Sequence, residues 1–429
     1  MTSFALLLGS SLAAAAAADG DLKFLIMGDW GGTQTAPFTT DREVATAAGM
    51  GKVGAAVGSQ FALALGDNFY FNGISTDEHD PRFQTTFENV FTADSLKADD
   101  YFRVVAGNHD HNGNVTAQIA YSAHSNRWSF PSLYYTFTET APDGATVQVV
   151  YIDTVVLSGG SSDPATGEDL PGSRYPGPAD AEAAQTQMQW LEATLAASTA
   201  DYLVVGGHFP VWSVCEHGPT GQLVSDVKPL VEKYGVTAYV SGHDHCAQHL
   251  DEGTGVDYHV IGSANFWDSS TVHLPNVPAG SLKWHPASGM GGFALVTANK
   301  TAFVVTHMSG DGSGLYVAPA RAPRCVGCPT PPPTPRPTPP PTPPTPVPQW
   351  DCRAGMAFQN NQALVDVDLA AAQYDISGCE QACVATAGCA AIMLHGTDKH
   401  CHTFSGALTA AEFGADLAAH AEYEACFRQ

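Results

Sequence analysis

Five short apolar runs in this chain each stop at a glycine and are followed by aspartate, asparagine or histidine. Lys23–Met27 leads into Gly28-Asp29-Trp30-Gly31-Gly32, Phe61–Leu65 into Gly66-Asp67-Asn68-Phe69-Tyr70, and Phe102–Ala106 into Gly107-Asn108-His109-Asp110. Tyr202–Val205 leads into Gly206-Gly207-His208, and Thr237–Val240 reaches Gly242-His243-Asp244-His245 one residue later. Apolar runs of this length without polar alternation are what strands covered on both faces require. Val147–Ile152, Tyr258–Ile261 and Phe293–Val296 read the same way. Helical stretches lie between them, the best being Ala181–Ala196, with Met188, Leu191 and Leu195 at helical spacing. The pattern predicts an α/β fold with a large sheet core. In such sheets sites form beyond the carboxyl ends of strands, so the five polar clusters should converge. The glycines allow the tight turns and close backbone approach this needs.

Singly, each cluster is ordinary. A Gly-Asp after a strand is usually a turn, an isolated His-x-His is more often a surface pair, and a tyrosine there normally packs. Together they supply seven ligand-type side chains, Asp29, Asp67, Tyr70, Asn108, His208, His243 and His245. That is enough for two cations sharing a bridging carboxylate.

Composition divides the rest. The 429 residues allow two or three domains. Residues 329–348 hold thirteen prolines and five threonines in twenty positions. Such a segment cannot close on a core and is expected as a polyproline-II linker about 60 Å long, at about 3.1 Å per residue, suited to O-glycosylation. It separates a large domain, 19–328, from a tail, 349–429. The tail holds six of the ten cysteines, Cys352, Cys379, Cys383, Cys389, Cys401 and Cys426. That density points to disulfides and an oxidising compartment; a zinc site would want paired CxxC motifs, which are missing. Cys379 and Cys383 share one side of an expected helix, Ser377–Ala387, and about 15 connectivities stay open. Residues 1–18, an apolar stretch running into six alanines, read as a secretory signal peptide. Residues 157–180, rich in Ser, Gly, Pro and Asp, are expected to form a long exposed loop. With 43 acidic against 18 basic residues and a formal charge of −25, the chain is no partner for nucleic acid or an anionic membrane surface. No run of about 20 apolar residues offers a membrane span.

In their order along the chain, the five clusters resemble the metal motifs of the calcineurin-like metallophosphoesterases, and Tyr70 narrows the resemblance to the purple acid phosphatases. Gly206-Gly207-His208-Phe209-Pro210-Val211-Trp212-Ser213 and Glu216-His217-Gly218-Pro219-Thr220 are similar to the small, mammalian-type, tartrate-resistant members. The resemblance runs from about residue 22 to about residue 310 and includes Arg82–Phe91 and Asn114–Tyr121. It implies a four-layer α/β-β/α sandwich and a secreted acid phosphatase that hydrolyses phosphate monoesters, small molecules or phosphoproteins, by attack of a metal-bound hydroxide. Asp29, Tyr70 and His245 would bind Fe(III), with Asp67 bridging. Asn108, His208 and His243 would hold a divalent ion, Fe(II), Zn(II) or Mn(II). Phenolate and carboxylates are hard donors suited to the trivalent ion. His109 and His217 match the histidines that bind phosphate oxygens and help protonate the leaving group.

Two departures from that family matter. Its loop-tethering disulfide would fall near Leu157-Ser158 and Gly221-Gln222, where this chain has no cysteine. Cys215 and Cys246 instead flank the metal motifs, either as a substitute disulfide or as two buried thiols, and Cys325 and Cys328 are expected to pair locally. In the family the long loop resembles a protease-sensitive lid over the metals. An untethered lid should open easily, so nicking between Ser158 and Pro178, confirmed by mass, is expected to raise turnover only modestly. An increase on the order of tenfold, about 1.4 kcal/mol, would show the lid is well held, and no cleavage would show an ordered segment.

The tail resembles a PAN/apple domain, a small disulfide-rich α+β module, in its cysteine-bearing helix followed by Cys389 and the Cys401-His402-Thr403-Phe404 strand. The resemblance implies pairs Cys352–Cys426, Cys379–Cys401 and Cys383–Cys389, and a protein or carbohydrate ligand. Two rival functions are a metallophosphodiesterase, disfavoured by Tyr70 and the acidic charge, and an extracellular binding protein acting through its tail, disfavoured by the complete ligand set. Iron-driven peroxide chemistry could coexist with hydrolysis. Location is expected to be extracellular or an acidic secretory compartment, where Asn114-Val115-Thr116 and Asn299-Lys300-Thr301 are glycan acceptors.

Overall fold

The strand Leu22–Met27 has no wet face: Phe24 and Ile26 enter one apolar cluster, Leu25 and Met27 another. A strand buried on both sides needs a layer on each, and that requirement organises the large domain. The computed structural model describes residues 20–160 and 176–325, and the backbone of five strands between residues 350 and 428. In chain order the elements are β1 (Leu22–Met27), α1 (Asp41–Val57), β2 (Phe61–Ala64), β3 (Phe102–Val104), α2 (Asn108–His111), α3 (Val115–Tyr121), β4 (Trp128–Ser129), β5 (Tyr135–Thr140), β6 (Thr146–Tyr151) and α4 (Thr154–Ser158). There follow α5 (Ala181–Ala197), β7 (Tyr202–Gly206), α6 (Gly221–Asp226), α7 (Lys228–Lys233), β8 (Ala238–Ser241), β9 (Ala247–Asp251), β10 (Asp257–Ile261), β11 (Leu282–Trp284), β12 (Gly292–Ala298), β13 (Phe303–Ser309) and β14 (Gly314–Val317).

The first sheet has the order β14-β13-β12-β1-β2-β3-β4, parallel from β1 to β4. The second has the order β11-β9-β10-β8-β7-β6-β5, parallel from β10 to β6. Their inner faces interlock, Phe24, Phe61 and Leu63 meeting Val147, Val149, Tyr202 and Val204. Outside the first sheet, Met50 and Val53 of α1 pack with an aromatic cluster that includes Trp30, Phe69, Phe87 and Trp128. Outside the second, α5, α6 and α7 contribute Leu191, Leu195, Leu223 and Val231. The layers are helix, sheet, sheet, helix, as the family resemblance implies. Among the described residues no helix is long and apolar enough to cross a membrane.

All eight predicted strands are present with ends shifted by a residue or two, and α5 ends one residue later than expected. The sequence reading missed β4, β5, β9, β11, β13 and β14. The expectation of an exposed loop from residue 157 is corrected at its start. Leu157 and Ser158 are buried in the last turn of α4, because Asp153 caps that helix by accepting from the N–H groups of Val155 and Val156. The middle of that loop, the segment 1–18 and the linker 329–348 lie outside the described residues.

The tail is a separate unit, an antiparallel sheet of β15 (Trp350–Phe358), β16 (Ala363–Asp368), β17 (Cys389–His395), β18 (His400–Ser405) and β19 (Leu417–Arg428) in the order β15-β19-β17-β18-β16. Its register sets Cys352 opposite Cys426. The expected helix over 377–387 lies outside the described residues.

Candidate metal centre

β1, β2 and β3 run parallel in one sheet and β7 and β8 in the other, and the loops leaving their carboxyl ends meet. Three residues there that are not glycine have left-handed backbone: Asp29 (φ 58°), Asp67 (φ 50°) and His243 (φ 67°). Such conformations cost on the order of 1–3 kcal/mol each, persist only where surroundings enforce them, and cluster at functional sites. Here the enforcement comes from close approach of the loops. The Asp29 N–H donates to Gly66 O (3.1 Å), and the His243 N–H donates to the Asp29 carboxylate (2.8 Å). A Cβ on Gly242 would lie 2.3 Å from Asp29 Oδ2, so only glycine fits.

One group of donors gathers around His208. Its Nδ1 is 2.9 Å from Leu65 O, a carbonyl that can only accept, so Nδ1 carries the proton. In the neutral ring, Nε2 is therefore a bare lone pair, and it points at Asn108 Oδ1 (2.9 Å) and Asp67 Oδ2 (3.4 Å). The three side chains meet where they are completely buried. Without a cation, a second proton on His208 would let Nε2 donate to Asp67. Burial opposes that charge, but Asp67 raises the imidazole to about 9. A second group surrounds Tyr70, whose hydroxyl is 3.0 Å from Asp29 Oδ1 and 3.0 Å from His245 Nε2, with that nitrogen 3.7 Å from the same carboxylate. Burial, Asp29 and Asp67 all push the phenol well above its ordinary value, and burial raises Asp29. Asp67, buried yet held below the usual range by His208 and His109, faces both groups. Among the described residues no lysine or arginine pairs with Asp29 or Asp67. The donor set thus fits two cations, the Tyr70 side offering the harder, anionic oxygens.

The structure brings all nine predicted site residues into one network. His243 closes it, its ring centroid 5.1 Å from that of His208 and 4.3 Å from that of His217. Burial, then His217, pushes His243 well down and His245 down to about 3. His109 donates its N–H to Asp67 Oδ1 (3.0 Å) and its Nδ1–H to Phe71 O (2.7 Å), which turns Nε2 toward the cluster, 3.9 Å from Asp67 Oδ2.

Two buried carboxylates that sequence reasoning passed over hold this arrangement. Asp244 accepts from the N–H groups of His217 (2.7 Å) and Gly218 (3.1 Å), fixing the loop that carries His217. Asp110 accepts from Gly107 N (2.8 Å), Asn68 N (3.1 Å) and Gln118 Nε2 (2.8 Å), tying the β2 and β3 loops together. The available signal was position, since each sits inside a motif beside candidate ligands. Cys215 and Cys246 are disulfide-bonded and fully buried, joining the His217 loop to the residue after His245. Cys325 is also disulfide-bonded, with its partner outside the described residues.

A sequence model of the calcineurin-like phosphoesterases matches residues 22–247, the stretch that carries all nine predicted site residues. The tartrate-resistant acid phosphatase type 5 of Oryctolagus cuniculus is 46% identical over 298 residues, which are 69% of this chain and 89% of that protein. Purple acid phosphatase 17 of Arabidopsis thaliana is 31% identical over 251 residues, 58% of this chain and 70% of that protein. Among solved structures, GAP50, the anchor in the inner membrane complex of Plasmodium, superposes with a TM-score of 0.58 at 19% identity, covering 71% of this chain and 89% of the other, a likeness of fold.

Proposed function

The chain belongs to the calcineurin-like phosphoesterases and is an acid phosphatase, a phosphoric monoester hydrolase, and we propose that it works as a purple acid phosphatase with Fe(III) beside a divalent ion. Asp29, Tyr70 and His245 hold the trivalent ion, Asn108, His208 and His243 the divalent one, and Asp67 is shared. The observation that carries this is the convergence of the His208 Nε2, the Asn108 side chain and the Asp67 carboxylate on one buried place. When bound, such a pair supplies an acidified water as nucleophile and positive charge against the oxygens of an in-line phosphoryl displacement.

The chain's own part is placement. His109, locked through Nδ1, and His217, locked through the backbone by Asp244, stand at the cluster's edge. In their protonated forms they bind phosphate oxygens and deliver a proton to the departing alkoxide. Burial of Asp29, Asp67, Tyr70 and His208 keeps bulk water from screening these charges.

Tyr70→Phe is the direct test. The proposal expects a purple or pink protein whose visible band, from phenolate to Fe(III), disappears in this variant while secondary structure is unchanged. A band that survives the substitution overturns the assignment. The finer reading extends to location. It holds that residues 1–18 direct export, and that the 349–429 tail is a PAN/apple-like module binding protein or carbohydrate. A mature chain that retains residues 1–18 and carries no glycan at Asn114 or Asn299 would count against export.

A further inference from the structure

Away from the phosphatase site, two imidazoles and two carboxylates meet on the surface, where the loop that follows Tyr70 lies against the end of α3. His79 Nδ1 is 3.4 Å from Asp77 Oδ1 and 4.0 Å from Glu78 Oε1, and His124 Nε2 is 4.0 Å from the same Glu78 oxygen. The two rings are 4.8 Å apart between centroids. Donor atoms of Glu78, His79 and His124 all lie within 4.8 Å of one another. Among the described residues no lysine or arginine pairs with Asp77 or Glu78.

The backbone beneath is fixed independently of these side chains. Asn114 donates through its side chain to Thr76 O (2.7 Å) and through its N–H to Ile74 O (2.7 Å). Asp80 accepts from Thr76 Oγ1 (2.8 Å) and Arg82 N (2.9 Å). The loop is thus tied to the start of α3, the helix whose far end leads to His124, and the exposed side chains are left to converge.

We propose that Glu78, His79 and His124 bind a divalent transition-metal ion of the zinc type, with Asp77 or water completing the shell. Two imidazoles with a carboxylate suit zinc, copper or nickel better than calcium or magnesium. Tetrahedral zinc, at about 2.0–2.1 Å from each donor, wants those donors roughly 3.3–3.5 Å apart. His79, His124 and Glu78 keep 69%, 40% and 33% of their side-chain surface in water and reach that by small rotations. The surplus of negative charge on the chain favours capture of a cation. Bound here, the ion staples the loop descending from Tyr70 to the segment descending from Asn108 and His109, two pieces of the site's rim. It thereby stabilises the rim without touching substrate.

The test is calorimetric titration of Zn²⁺ into the full chain carrying its resident metals, compared with His79→Asn, His124→Asn and the double variant. The wild type should take up one more equivalent than the double variant, and each single variant should bind that equivalent at least about tenfold more weakly. Added Zn²⁺ should raise the melting temperature of the wild type and not that of the double variant. Turnover without added zinc should be the same in all four, because neither histidine reaches the catalytic cluster. Equal stoichiometry and affinity in wild type and double variant overturn the proposal. That result would leave the phosphatase assignment untouched, since all four proteins share one catalytic centre.

Discussion

Replacing Asp67 with asparagine should cost this phosphatase its bound metal and on the order of a thousandfold in turnover, about 4 kcal/mol, while the fold stays as it is. Asp67 is 1% exposed, one of its oxygens accepting from the His109 N–H (3.0 Å) and the other facing His208 (3.4 Å) and His109 (3.9 Å). Asparagine matches its shape and can keep the acceptor for His109. It removes the negative charge shared by both donor groups and can place an amide N–H₂ where a lone pair stood. The loss therefore falls on cation binding, not on packing. Three measurements separate the possibilities: metal content by mass spectrometry, initial rates on a chromogenic phosphomonoester, and melting temperature. If the variant retains both ions and turns over within about tenfold of wild type, Asp67 is not the shared ligand and the donor set must be divided differently.

This residue was legible from sequence because everything that positions it is local. Gly66 supplies the turn, the apolar run before it supplies the strand, and the parallel sheet carries the loop to the common edge. The same holds for Asp29, Asn108 and His243. Tyr70 sits three residues beyond Asp67, so its position follows from the same loop. Where the determinant is tertiary, the sequence was silent. β5 reads Tyr-Thr-Phe-Thr-Glu-Thr, an alternating stretch at a sheet edge that no continuous apolar run could reveal. β13 interrupts its apolar run with Thr306 and His307, and His307 is nevertheless buried between the sheets. Asp244 looked like a spacer between two histidines until the His217 loop, 27 residues upstream, was seen to rest on it. The Cys215–Cys246 bond is similar, since spacing alone could not choose between a disulfide and two thiols.

The domain's stability should fall steeply below about pH 6.5, and replacing two buried histidines should flatten that fall. His259 on β10 and His307 on β13 face each other between the sheets, Nδ1 to Nε2 at 3.1 Å, each 1% exposed. Only one proton can occupy that contact, and the outer nitrogens, His259 Nε2 and His307 Nδ1, have no partner. Whichever tautomers are present, one buried N–H and one buried lone pair go unmet. The groups around them offer little to an added positive charge. His249 stacks on His259 (4.6 Å) and donates to Asp257, Tyr316 and Trp284 pack alongside, and Arg321 already pairs with both Asp257 and Asp251. Burial, then His249, pushes His307 down to about 3, and burial, then His249 and His307, pushes His259 well down. Both depressions favour the neutral rings of the folded state. Their stability contribution is complete above the unfolded pKa of about 6.5 and is lost as pH falls toward the folded values, at about 1.4 kcal/mol per pH unit for a ring that stays neutral. At pH 4.5 that is a loss of a few kcal/mol. The double variant His259→Leu, His307→Phe removes the titration and both orphaned nitrogens together, and replacing both partners by apolar groups costs little at neutral pH. Calorimetric melting at pH 7 and pH 4.5 should show the acid-induced drop smaller in the variant by on the order of 5 °C or more. An equal drop in both proteins would mean that the buried pair is not what limits an acid phosphatase in acid.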